Sequence, residues 1–91
     1  MDLRNKVAII TGGSRGIGNA TVKAFLRAGA TVILTASSEA NAQKSVEALR
    51  REFPQATVDG IAPDLTCMDC VRQEYEKVAE KYGSLDILVY I

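Results

Sequence analysis

The chain has 91 residues, 47% of them apolar and 24% charged, an ordinary globular composition that excludes disorder, coiled coil and collagen. Eleven basic residues offset eleven acidic ones and there is no histidine, so nothing marks a nucleic-acid or anionic-membrane surface, and the commonest general base and metal ligand is missing. One domain is the most this length holds, and it buries about 60 to 65% of the surface its unfolded chain exposes.

The start, MDLRNKVAII, has no long apolar segment with a small-residue cleavage site, and no apolar run approaches the length of a membrane span, so a cytoplasmic protein is expected. Lys6 to Ile10 is a continuous, β-branched-rich run, the pattern of a strand buried on both faces. Beyond the glycines that follow, Ile17, Ala20, Thr21, Ala24, Phe25 and Ala28 recur at helical spacing with Lys23 and Arg27 opposite, and Gly29 is placed to end the helix. These residues are the expected buried stripe.

Thr31 to Ala36 repeats the strand pattern. Ser37 and Ser38 offer an N-cap for a second helix with Glu39 in its first turn, a stripe of Ala42, Val46, Leu49 and Phe53, basic Arg50 and Arg51 near its end, and a stop at Pro54. Thr57 to Ala62 is a weaker strand because Asp59 and Gly60 interrupt it, which suits a position near the sheet edge. Thr66 to Asp69 fits a capping-box-like start to a third helix, with Val71, Tyr75, Val78 and Tyr82 on one face and Gly83 closing it. Leu85 to Ile91 reads as a fourth strand.

Strands alternating with helices over short connections imply an α/β fold with a parallel sheet. The mononucleotide-binding arrangement would order the strands three, two, one, four and place a topological switch point beside the first. The stretch TGGSRGIG, Thr11 to Gly18, falls at that point. A phosphate needs backbone N–H donors aimed at it, and a helix N-terminus supplies them together with a positive dipole end. Gly12, Gly16 and Gly18 are then read as a tight turn, a close approach for a pyrophosphate, and close packing of helix on strand. A Walker phosphate loop is rejected because Asn19 occupies the place of its lysine.

TGGSRGIG, GATVILTAS, PDLT and LDILV together resemble the N-terminal part of the short-chain dehydrogenase/reductase family, in the branch that includes bacterial 3-oxoacyl-(acyl-carrier-protein) reductases. The resemblance runs from Lys6 to Val89 and implies the N-terminal part of a Rossmann doubly wound sheet in three α/β/α layers. It implies that Gly12, Ser14, Arg15, Gly16, Ile17 and Gly18 surround the phosphates and adenosine ribose of a nicotinamide cofactor, and that Asp64 and Leu65 border the adenine. A turn role for Asp64 after Pro63 is the plainer alternative.

An acidic residue at the end of the second strand usually selects a free ribose 2′-hydroxyl. Here Ala36, Ser37 and Ser38 occupy that place, Arg15 can reach a 2′-phosphate and Ser37 can donate a hydroxyl to it, so NADP(H) is expected over NAD(H). A solvated surface role for Arg15 is the alternative.

The family's tyrosine and lysine, spaced Y-x-x-x-K, are not found: Tyr75 is followed four on by Ala79, Tyr82 by Asp86, and Tyr90 is too near the end. Nor does the fourth strand run into the family's Asn-Asn-Ala-Gly. The chain therefore reads as the cofactor-binding half of a carbonyl reductase, inactive alone, whose open fourth strand invites self-association. Cys67 and Cys70, in CMDC, are expected to be reduced in a chain without a secretion signal. A thiol redox site at a helix start is a remote alternative.

Overall fold

The computed structural model describes residues 2–14 and 16–91. The elements run β1 (Val7–Ile10), α1 (Gly16–Arg27), β2 (Thr31–Thr35), α2 (Glu39–Glu52), β3 (Val58–Ile61), α3 (Met68–Tyr82) and β4 (Ile87–Val89). All strand pairs are parallel and the sheet order is β3-β2-β1-β4, as the alternating pattern predicts. Strand ends are shorter than the apolar runs that announce them. β4 shows why: it has one neighbour, so its ladder stops at the residues paired with Ala8, Ile9 and Ile10.

Every residue of β1 is buried, because the sheet is covered on both sides. On one face Ile10, Val32 and Leu34 pack with Val22 and Leu26 of α1 and Val46 and Leu49 of α2. On the other, Val7, Ile9 and Ile33 meet Val78 of α3, with Tyr75 and Tyr82 alongside. The period-two alternation of strand side chains thus splits one continuous apolar run between two layers of helix. Three layers result.

The buried stripe of α1 differs from the expected one. Gly18, Val22 and Leu26 face the sheet, whereas Ile17 is 76% exposed. The phase follows from Gly18, whose backbone is pressed against the preceding loop, so the residues four and eight further on turn inward with it. In α2 Ala42, Val46 and Leu49 of the expected stripe are buried, Phe53 stands past the last turn as the C-cap and is half-buried, and Ser38 caps the start by accepting the Asn41 N–H at 3.2 Å.

The two residues that interrupt β3 have separate roles. A side chain on Gly60 would come within 3.0 Å of Val46 Cγ2 and 3.2 Å of Ala42 Cβ, so glycine is what lets α2 lie close. Asp59 points the other way and accepts hydrogen bonds from Lys81 Nζ and Tyr82 Oη, each at 3.2 Å, tying the end of α3 to the sheet edge. Burial pushes its carboxyl upward, but the Gly60 N–H, Lys81 and Tyr82 together outweigh this and hold it below the usual aspartate range.

At α3 the cap is Cys67 and not Thr66. Thr66 is engaged by Asp64, donating to its Oδ1 from the backbone N–H at 3.0 Å and from the hydroxyl at 2.6 Å. The expectation of two reduced cysteines is also corrected, because Cys67 and Cys70 are joined as a disulfide. Composition and compartment speak to the prevailing redox state, whereas a cap and a first-turn residue are brought together by helix geometry itself. Gly83 closes α3 as expected. Among the described residues no helix is long and apolar enough to cross a membrane.

Candidate functional site

Because all the strands are parallel, their carboxyl ends share one edge of the molecule, and the loop from Thr11 to Gly18 rises there between β1 and α1. Its base is fastened on two sides. Gly12 N–H donates to Thr35 Oγ1 of β2 at 3.1 Å, and Thr11 donates to the Val89 carbonyl of β4 from its N–H at 2.9 Å and its hydroxyl at 3.2 Å. Thr11 Oγ1 also accepts the Ile91 N–H at 3.0 Å.

The glycines divide into two kinds. A Cβ on Gly18 would overlap the Gly12 carbonyl, lying 2.7 Å from its carbon, and one on Gly13 would come 2.8 Å from Leu34 Cβ and 2.9 Å from Val22 Cγ2. Helix-to-loop closure is therefore the work of Gly18, and the helix-to-strand packing expected of it falls to Gly13. Nothing in the spacing singled out Gly13, whose neighbours come from β2 and α1. Gly12 and Gly16 instead adopt left-handed backbone, with φ of +64° and +63°. At Gly16 a Cβ would have no atom within 4 Å, so this part of the loop faces open space.

At Gly16 α1 begins, and the first N–H groups of a helix have no partner within it. Among the described residues no oxygen accepts from the Ile17 or Gly18 N–H. The loop thus presents open donors, a bare backbone and the positive end of a 12-residue helix together. Arg15 lies outside the described residues.

Ser14 meets α2 across a cleft, where Ser45 Oγ donates to its carbonyl at 3.3 Å. Ser14, Ser37, Asn41, Lys44 and Ser45 line a cavity of about 170 Å³. Asn41 Nδ2 donates to Ser37 Oγ at 3.1 Å, which orients that hydroxyl. Lys44 borders this cavity and its neighbour and has no carboxylate partner among the described residues, whereas Lys23 in the neighbouring cleft is paired with Glu52 at 3.1 Å. Sequence reasoning missed Lys44. Its signal was a place in the second turn of α2, the helix that follows β2.

Asp64 and Leu65 follow β3 at the same edge of the sheet, but among the described residues no hydrogen bond or cavity joins them to the loop. The Thr66 hydroxyl and N–H hold the Asp64 carboxyl below its usual range, which makes the turn role real. Leu65 is 75% exposed.

This loop, strand order and helix placement accompany a match of residues 6–90 to the short chain dehydrogenase family. The chain belongs to that family. It is 43% identical over 89 residues to a 3alpha-hydroxysteroid dehydrogenase of Mediterraneibacter gnavus, covering 98% of this chain and 36% of that protein. To the 3-oxoacyl-[acyl-carrier-protein] reductase FabG of Thermotoga maritima it is 39% identical, covering 98% and 35% respectively. A metagenomic short-chain oxidoreductase crystallised in complex with NADP superposes with a TM-score of 0.83 at 29% identity, over 94% of this chain and 38% of that one. The chain spans about a third of the length of the curated relatives it matches.

Proposed function

We propose that these 91 residues form the dinucleotide-binding portion of an oxidoreductase that takes NADP(H) in preference to NAD(H). The observation that carries the reading is the loop: Gly16 opens on empty space beside the Ile17 and Gly18 N–H groups, which no oxygen among the described residues accepts, at the carboxyl edge of a parallel sheet. That is the environment a diphosphate requires, since its oxygens need several donors at close range and no intervening side chain. Gly12, Ser14 and Gly18 shape the cradle, and Leu65, exposed beyond β3 with Asp64, suits the flat face of an adenine.

Selection of the 2′-phosphate is assigned to the cavity across from Ser14. Ser37 and Asn41 offer neutral donors and Lys44 a cation without a carboxylate partner among the described residues, while Ala36 and Ser37 leave no carboxylate at the end of β2 to repel a phosphate. Arg15 joins this set on the strength of the sequence. The cofactor supplies a hydride to a carbonyl, or accepts one from an alcohol, and 3-oxoacyl-[acyl-carrier-protein] reduction is one reaction of that class. None of the three tyrosines begins a Y-x-x-x-K, so these residues alone should bind nucleotide weakly and turn no substrate over.

Calorimetric titration with NADPH and NADH tests the assignment. NADPH binds more tightly to the unaltered chain, and Lys44→Ala or Arg15→Ala narrows the preference by roughly tenfold or more, the worth of a charged hydrogen bond. Failure of both nucleotides to bind would remove the cradle, whereas an undiminished preference in both variants would remove only the phosphate assignment.

A second reading is favoured by the other edge of the sheet. Leu88, Tyr90 and Ile91 are 39%, 73% and 57% exposed, beside an apolar groove of about 400 Å³ lined by Met68, Val71, Tyr75 and Leu85 among others. Among the described residues β4 is paired on one side only, and such an edge beside an apolar groove invites pairing with a second copy. Light scattering should show association that grows with concentration, and a monomer at every concentration would end this reading.

A further inference from the structure

Cys67 caps α3 and Cys70 stands in its first turn, and the nucleotide site has no use for either. Their Cα atoms are 5.2 Å apart, within the span a disulfide bridges without backbone movement, and their sulfurs are joined. Both side chains are half-buried, within reach of a small reagent, and neither belongs to the two core clusters. The Cys70 N–H donates to Cys67 Sγ at 3.1 Å, so negative charge on that sulfur meets an aimed donor and the positive end of a 15-residue helix.

A structural role accounts poorly for this pair. Serine, threonine or aspartate caps a helix at least as well as cysteine. A cross-link between residues three apart closes a very short loop, which constrains the unfolded chain least. What two adjoining sulfurs do better than any other pair is gain and lose electrons together.

We propose that Cys67 and Cys70 form a reversible dithiol–disulfide pair that exchanges with small-molecule thiols and disulfides of the glutathione class. In the oxidising direction the Cys67 thiolate attacks one sulfur of RSSR. A Cys67–SR bond forms, the RS–SR bond breaks, and one RS⁻ leaves with the electron pair. The Cys70 thiolate then attacks Cys67 Sγ, closing the internal bond and expelling the second RS⁻. Two electrons pass from the protein sulfurs to RSSR, and the protons given up by the cysteines convert the released thiolates to two RSH. Cys67 attacks because it is the sulfur that the Cys70 N–H serves. None of this depends on the nucleotide reading.

The test is a titration of the chain in graded mixtures of reduced and oxidised glutathione, quenched, alkylated with N-ethylmaleimide and weighed intact. The expected result is conversion from two labels per chain to none, without an accumulating species that carries one. Two labels at every ratio, a stable glutathione adduct on each cysteine, or a bond that survives the reducing end would each overturn the pair. Cys70→Ser should trap one glutathione on Cys67, faster than Cys67→Ser takes one up on Cys70. Equal rates would overturn the assignment of Cys67 as the attacking sulfur.

Discussion

Gly16 and Gly18 stand two residues apart and should fail differently when given a side chain. At Gly18 the new methyl would collide with the Gly12 carbonyl, a backbone group that cannot swing aside, so Gly18→Ala should cost about 1–3 kcal/mol or more. At Gly16 there is room, and Gly16→Ala bears only the left-handed backbone penalty of about 1–2 kcal/mol. On the proposed reading its methyl would stand where the diphosphate approaches, so NADPH binding should weaken by more than the loss of stability explains. Urea unfolding and calorimetry on both variants separate the cases, and a Gly16→Ala chain less stable than Gly18→Ala would contradict the geometry. The sequence pointed to these glycines because their spacing after a strand is local. It could not point to Gly13 or Lys44, whose meaning comes from Leu34, Val22 and Ser14 on other elements.

Elements were legible in their order and less so in their orientation. The stripe of α2 was plain because its apolar residues lie on one side only, whereas α1 carries small and apolar residues nearly all round, and a backbone contact at Gly18 chose its phase. At the β3–α3 junction the structure turns an apparent defect into a tether, since Asp59 holds Lys81 and Tyr82. Its carboxyl titrates lower in the folded chain than in the unfolded one, so its contribution is complete above the ordinary aspartate value of about 3.9 and disappears as pH falls through the lower folded value. Asp86 behaves alike because the Val7 N–H and Ser84 hydroxyl hold its carboxyl down. Unfolding midpoints should therefore be level near neutrality and drop below about pH 4. Asp59→Asn should lower the plateau and flatten the drop, and a variant with the same acid slope as the unaltered chain would show that the tether is not electrostatic.

The whole molecule turns on β1, which both helical layers cover and from which the strand order spreads to either side. Ile9 is fully buried at the centre of that strand, opposite Ile33 and Val78. Ile9→Ala should cost about 2–5 kcal/mol, a large part of the roughly 5–15 kcal/mol available to a small domain, and chemical denaturation should show a midpoint shifted accordingly. Overall topology was readable because alternation of strand and helix admits few arrangements, whereas the exact strand limits depend on which neighbours each strand finds. Thr11 couples this scaffold to the glycine loop on the β4 side, since it grips both Val89 and Ile91 while forming the foot of that loop. Occupancy of the loop should consequently steady the last residues of the sheet edge, so that the Ile91 and Thr11 amides exchange hydrogen more slowly in nucleotide-saturated chains than in bare ones.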